Sequence, residues 1–393
     1  MFLSRLPKSL RIGLITSCLA ASMSAHPVAA APGDAPTTLA TQQVRVGSLS
    51  DLYRALQRAN RATEILVAPG QYKGLSVRGM TVPEGTVIKS ASAARPAVFE
   101  GLFIDSVRGL AVENVIVASP TRGPVNGRYG ALVISSRDIR LEGIQIFGPG
   151  RKIDRRFISA IMLRGSSDIT LAKSYFTNFR HGLTLLDIDN SLIENNEFER
   201  LQTDGIRGGG VQNTTIRANV ITDFQPSATD HPDGIQLWST NQKEAGRNIT
   251  ISDNLIVRGN GGATQGIFIR DTRLKLPFQS LSIDGNLVVG GRYNGISVGG
   301  ANGLKVSDNM VIPRGDQKSW IRLEATSNAV AVDNTAGTFV FRNNRQEPRS
   351  RGNTTIEATD RNLASTISRW AREKEAFSSF RGPVLQRLMR TGA

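Results

Sequence analysis

Proton-transfer chemistry in this chain would fall to His181, Asp204, Arg207 and Asp233, which lie far apart in sequence yet recur in a regular pattern. His181, Asp204 and Asp233 each stand immediately before a glycine, and Arg207 and Gln236 follow three residues after the two aspartates. A carboxylate beside an imidazole orients it and raises its basicity, while a guanidinium fits a carboxylate bidentately. Two neighbouring aspartates repel, so they are retained where a proton, a cation or an arginine sits between them. These four residues are the expected reacting centre. Around them Arg164, His231, Gln236, Trp238, Arg270 and Asn294 are expected to bind a substrate, Trp238 as a platform for a ring. A structural reading stands beside this one, in which an aspartate before glycine only receives a turn and Trp238 packs under a loop.

The elements that must bring these residues together are short strands. Asp168-Ile169-Thr170-Leu171, Asn190-Ser191-Leu192-Ile193, Asn213-Thr214-Thr215-Ile216, Asn248-Ile249-Thr250-Ile251, Ser280-Leu281-Ser282-Ile283 and Gly303-Leu304-Lys305-Val306 are variants of one sentence. Most are followed by a turn holding Asn196, Asn219, Asn254, Asn286 or Asn309. Asparagine tolerates a left-handed turn, and stacked asparagines can hydrogen-bond from coil to coil. Period-2 strands repeating without helices between them describe a solenoid of parallel strands.

A second column sets the register. Tyr129-Gly130, Ser159-Ala160, His181-Gly182, Asp204-Gly205, Asp233-Gly234, Gln265-Gly266 and Asn294-Gly295 succeed one another at intervals of 30, 22, 23, 29, 32 and 29 residues. One pair per coil, with coils about 4.8 Å apart, stacks His181, Asp204 and Asp233 on one outward face. The next columns read Met162, Thr184, Arg207, Gln236, Phe268, Ser297 and Arg164, Leu186, Gly209, Trp238, Arg270, Gly299. Extra residues at Asn241 to Arg247 and Arg273 to Gln279 are expected to overhang this face, and Gly208-Gly209-Gly210 to leave room for a ligand or to form a bulge.

The ends differ from the middle. Ser48 to Arg61 has helical spacing with Ser48 and Asp51 placed as a capping box, which suits a plug over the open end of the stack. Ala364 to Phe380 also reads as a helix, set over the last coil or along the side, and the basic Arg381 to Ala393 as an unstructured tail. Arg5, Lys8 and Arg11, the apolar Ile12 to Ala25 and the small Val28-Ala29-Ala30-Ala31 form an export signal. Cys18, the single cysteine, lies within it and could alternatively be lipidated; neither a disulfide framework nor a cysteine nucleophile is expected in the mature chain. No stretch suits a membrane span. The expected organisation is a signal over 1–31, a cap and first coils over 32–100, the β-helix over 101–345 and a helical, basic tail over 346–393. The net charge of +15, about +12 without the signal, attracts polyanions, and for a periplasmic or secreted protein these are acidic glycans sooner than nucleic acid.

The helix, the Val67-Ala68-Pro69-Gly70-Gln71-Tyr72 strand and the coils that follow resemble the pectate lyase-like superfamily of right-handed parallel β-helices, over nearly the whole mature chain. The resemblance implies an all-β solenoid and an acidic polysaccharide as partner. It implies a polysaccharide lyase or uronan C5-epimerase, and leaves Ca²⁺ held by Asp204 and Asp233 as an option. Asp230-His231-Pro232-Asp233 is similar to the Asp-Pro-His-Asp motif of mannuronan epimerases with Pro and His exchanged. The alternatives are a polygalacturonase-like hydrolase, of whose motifs only Gln202-Thr203-Asp204-Gly205 and Asp233 have counterparts, and a non-catalytic glycan-binding or surface β-helix.

Overall fold

The computed structural model describes residues 41–118, 128–148, 158–315, 318–378 and 380–393. The expected signal and Cys18 lie outside these residues. Within them each coil contains a long strand, which bends or breaks midway, and a short strand of two or three residues. Ser159–Ala172 with Tyr175–Thr177 is one coil, and His181–Glu194 with Glu197–Glu199 is the next. All ladders are parallel, running from Gln42–Val46 to Thr354–Thr355. The fold is a parallel β-helix.

Inside it, like stacks on like. Ile216 pairs in register with Ile251, Ile251 with Ile283, and Ile283 with Val306. All four are fully buried, and burying an aliphatic side chain of this size is worth about 1.5 to 3 kcal/mol. At the turn after these strands a ladder of asparagines runs up the interior. Asn254 Oδ1 accepts the backbone N–H and the Nδ2–H of Asn219, both at 3.0 Å, and Asn286 Oδ1 does the same for Asn254, both at 2.9 Å. The ladder continues through Asn309 and Asn334 to Asn353. The left-handed backbone expected of these asparagines belongs instead to the residue before each one, such as Ala218 (φ 53°), Asp253 (φ 53°) and Asp308 (φ 55°). That residue makes the corner, which turns the asparagine inward where its amide has partners.

The N-terminal plug is as expected. Leu49–Arg58 is a helix, Ser48 accepts the Asp51 N–H as its cap, and Leu52 and Leu56 close the core. The C-terminal segment lies along the side. Leu363–Glu373 and Pro383–Thr391 are helices whose Ile367, Trp370, Leu385 and Leu388 pack on Val220, Leu255, Val257, Leu287 and Val289, the outward side chains of the short strands. The expectation of an unstructured tail after Arg381 fails because that outer face is apolar and needs cover. Glu197 anchors the last helix, accepting the N–H of Val384 at 3.2 Å and of Leu385 at 2.8 Å. A Cβ on Gly382 would stand 2.2 Å from the Glu197 carboxyl carbon, so only glycine permits this approach. No described helix is long and apolar enough to cross a membrane.

The ladder is testable through one rung. Asn254→Ala leaves the Asn219 N–H without its acceptor and takes the side-chain donor from the Ile216 carbonyl in the interior. Each orphaned group costs about 1 to 3 kcal/mol, so denaturant unfolding should show a loss on the order of 3 kcal/mol. A loss under about 0.5 kcal/mol would mean that the stack is held by apolar packing alone.

Candidate functional site

The expected columns form as read. Ser159 pairs with His181, and Asp233 with Gln265. Met162, Thr184, Arg207, Gln236, Phe268 and Ser297 stand in register, as do Arg164, Leu186, Gly209, Trp238, Arg270 and Gly299. Asp204 sits one coil from each neighbour, because its carbonyl accepts the Gly182 N–H at 3.0 Å and the Gly205 N–H donates to the Asp233 carbonyl at 2.9 Å. An aspartate and a residue three positions on share an outward face only if two consecutive residues point inward. Gly205 is the first of these and Ile206 the second. A Cβ on Gly205 would lie 2.6 Å from both the Gly234 carbonyl and the Ile221 side chain, so close approach calls for glycine at this coil.

The cluster is compact and nearly dry. His181 is 6 % exposed, Asp204 4 % and Asp233 0 %. Arg207 Nη1 donates to Asp204 Oδ2 at 3.0 Å and lies over the His181 ring, 3.0 Å from Nε2 and 3.3 Å from Nδ1, and its guanidinium lies 4.8 Å from the centre of the Trp238 ring. Thr203 contacts His181 Nδ1 at 2.5 Å and gives its single hydroxyl proton to the Arg180 carbonyl at 3.0 Å. With its proton so placed, Thr203 Oγ1 accepts from Nδ1–H, a tautomer assigned from the network, and Nε2 keeps its lone pair. Burial holds the His181 pKa below the ordinary imidazole range. The hydrogen bond to Asp204 opposes this and the Arg207 charge reinforces it.

The two aspartates differ. Asp204 Oδ2 takes Arg207, and its Oδ1 takes the backbone N–H of Asp233 at 3.3 Å. Asp233 has only Gln236, whose Nε2 donates to Oδ2 at 2.5 Å, while Oδ1 is buried without a hydrogen-bond partner. Burial, and then the charge of Asp204, push the Asp233 pKa well above the usual carboxylate range. The repulsion expected between them favours a proton on Asp233, while Arg207 serves Asp204. A Ca²⁺ ion between the pair does not fit, since it wants six to eight oxygens and the pair offers one without a hydrogen-bond partner, Asp233 Oδ1. Among the described residues no three His, Cys, Asp or Glu side chains converge on a metal position.

The family described as right handed beta helix region matches residues 100–237 and 159–311, together more than half of the chain. The chain belongs to this family. No curated protein matches it. Among solved structures the β-helix is similar to the exopolygalacturonase of Thermotoga maritima, with 11 % identity, 78 % of this chain and 93 % of that one covered, and a TM-score of 0.48. It is similar also to a mannuronic acid specific family 6 lyase from human gut microbiota (13 % identity, 84 % and 94 % covered, TM-score 0.48). PfbA, a surface adhesin of Streptococcus pneumoniae, is a third (12 %, 82 % and 83 %, 0.46). Likeness this distant decides neither substrate nor reaction.

The outer residues of the β-helix divide. Gln236, Trp238 and Arg270 border the cluster. Arg164, two coils before Gly209, instead lines a cavity of about 560 Å³ with Leu186, Gln242 and Lys243. The room expected beside Gly209 is filled by the Trp238 indole and Gln242, which comes from the first insertion. His231 is exposed and joins none of the cluster's hydrogen bonds among the described residues. Both ends of the Asn294 amide are engaged, Nδ2 with Gln265 and Oδ1 with Trp320. Thr203 was not singled out above, though it holds the imidazole. Its signal was its place one residue before the column, beside Arg180.

Opposed titrations follow. Asp233 carries its proton to higher pH in the folded state than unfolded, so its contribution is lost as pH rises above the unfolded carboxylate range. His181 is the reverse case, and its contribution is lost as pH falls below about 6.5. Melting temperature measured from pH 4 to 8 should decline less on the alkaline side for Asp233→Asn than for wild type. Superimposable curves would show that Asp233 is ionised in the fold.

Proposed function

We propose that this β-helix acts on an acidic, uronate-containing polysaccharide as a lyase or C5-epimerase. The observation that carries the reading is a buried imidazole, His181, with the Arg207 guanidinium laid over its ring and joined to Asp204. A substrate carboxylate offers the guanidinium a bidentate partner. Taking it turns Arg207 outward and uncovers Nε2. His181 then removes the C5 proton, the C–H electron pair passes into the carboxylate, and Arg207 stabilises the enolate-like charge. Asp204 balances the resulting imidazolium, and the neutral Asp233 keeps the pair from carrying a second negative charge. In elimination the enolate pair forms the C4–C5 double bond as the C4–O bond breaks, and the departing oxygen takes the imidazolium proton or one from water; in epimerisation water delivers a proton to C5 from the opposite face and His181 gives its own back to solvent.

Hydrolysis has less support. An acid must reach the glycosidic oxygen, and Asp233 is fully enclosed. Non-catalytic glycan binding has one observation in its favour, the burial of the whole His181, Asp204 and Asp233 group. The same burial would suit a network that only braces Arg207 and Trp238 as a binding surface. Export to the periplasm or beyond belongs to this reading, through the N-terminal signal and the basic charge.

Purified protein incubated with polygalacturonate and polymannuronate should yield unsaturated ends, seen by ultraviolet absorbance, or exchange C5 hydrogen with solvent deuterium. His181→Ala and Asp204→Asn should keep the wild-type melting temperature within a few degrees and lose about 10²- to 10⁴-fold in turnover. With its depressed pKa, His181 should keep activity constant from neutral pH upward and lose it only in acid. Folded variants with wild-type turnover would move the chemistry elsewhere. New reducing ends without absorbance would mean hydrolysis.

A further inference from the structure

We infer that Arg292, Tyr293 and Trp320 form a second subsite for an acidic sugar, two to three coils along the axis from Asp233. The inference rests on the polyuronate reading above and extends it from one reacting unit to a chain. Trp320 pairs in register with Asn294, which stands in the Asp204 and Asp233 column. At about 4.8 Å per coil it lies about 14 Å from Asp233. A polymer lying along the columns would therefore pass over it.

Three features mark the place as built. Tyr293 is 48 % exposed, one of two large hydrophobic side chains so open among the described residues. Its backbone is left-handed at φ 52°, inside a tight turn in which the Asn294 N–H donates to the Arg292 carbonyl at 2.6 Å. An aromatic residue in that conformation is strained, and Asn, Asp or Gly would sit there more easily. The strain holds the ring against Trp320, with centroids 5.5 Å apart and planes 33° apart. The Trp320 Nε1–H is tied to Asn294 Oδ1 at 2.7 Å, which fixes the indole. Arg292 is exposed, lies 5.6 Å from the Tyr293 ring centre and makes no ion pair among the described residues. An open aromatic surface takes the apolar face of a pyranose, and a neighbouring unpaired guanidinium takes its carboxylate. The combination repeats, on other residues, the Arg207 and Trp238 pair at the cluster.

The test is retardation of the full-length protein in native gels containing polygalacturonate, polymannuronate or neutral dextran, beside turnover measured separately. Tyr293→Asn keeps a residue that accepts the left-handed turn, so it should melt no lower than wild type. It should nevertheless bind one of the acidic polymers about three- to tenfold more weakly. Trp320→Ala should do the same, Trp320→Phe should bind nearly as wild type, and Arg292→Ala should lose the preference for acidic polymer over dextran. Wild-type retardation by Tyr293→Asn and Trp320→Ala would overturn the subsite. So would weakening that is equal for dextran, or a wild type that binds neither acidic polymer. A wild type that binds but turns over nothing would sink the catalytic reading and leave the subsite standing on these same comparisons.

Discussion

The asparagine ladder is the constraint from which the rest of this molecule follows. Each rung ties one backbone N–H and one side-chain amide to the next coil, in an interior where an unmade hydrogen bond costs more than a made one contributes. A coil shifted by one residue would break every rung it touches and turn isoleucines out of the core. Apolar stacking alone is tolerant of small slips, since one aliphatic side chain replaces another at little cost. The directional ladder removes that tolerance, and the outward columns inherit its register.

Fixed register turns residues remote in sequence into a site. His181, Asp204 and Asp233 meet because each occupies the same place in its coil, and the glycine after each lets the wall close tightly behind them. The closeness has an electrostatic cost. Charging two carboxyl groups and an imidazole with little solvent is costly, so burial pushes the Asp233 pKa up and the His181 pKa down, while Arg207 pairs with Asp204. The direction of each pKa is thus a consequence of stacking.

The outer surface of the short strands shows the same logic with a different outcome. There the outward columns are apolar, and the C-terminal helices cover them. The Pro383–Thr391 helix is seated by Glu197, whose carboxyl group lies at the helix N-terminus, where backbone N–H groups and the dipole favour negative charge. Burial nonetheless pushes its pKa up to about 7. Arg387 adds ion pairs to Glu199 at 3.1 Å and Asp223 at 2.6 Å. One face of the solenoid is therefore closed by its own chain, while the face with His181 and Arg207 stays uncovered by these helices.

Local sequence by itself determined the solenoid, the helix at its start and the membership of the three columns. Strand period, glycine spacing and the recurring asparagines are short-range signals, and each coil repeats them. It did not determine which residue of a corner is left-handed, since the choice depends on where the Asn254 amide finds partners in coils 32 to 38 residues away. Nor did it show that Asp233 would be sealed in, that Trp238 and Gln242 would fill the space beside Gly209, or that Arg164 would face another cavity. Those outcomes depend on how far side chains reach across coils and on what an insertion folds over. The tail after Arg381 was misread for a related reason: its charges are visible in sequence, but the apolar face that orders it is assembled from strands in several coils. Tertiary structure alone decided burial, and burial decided which groups keep their protons.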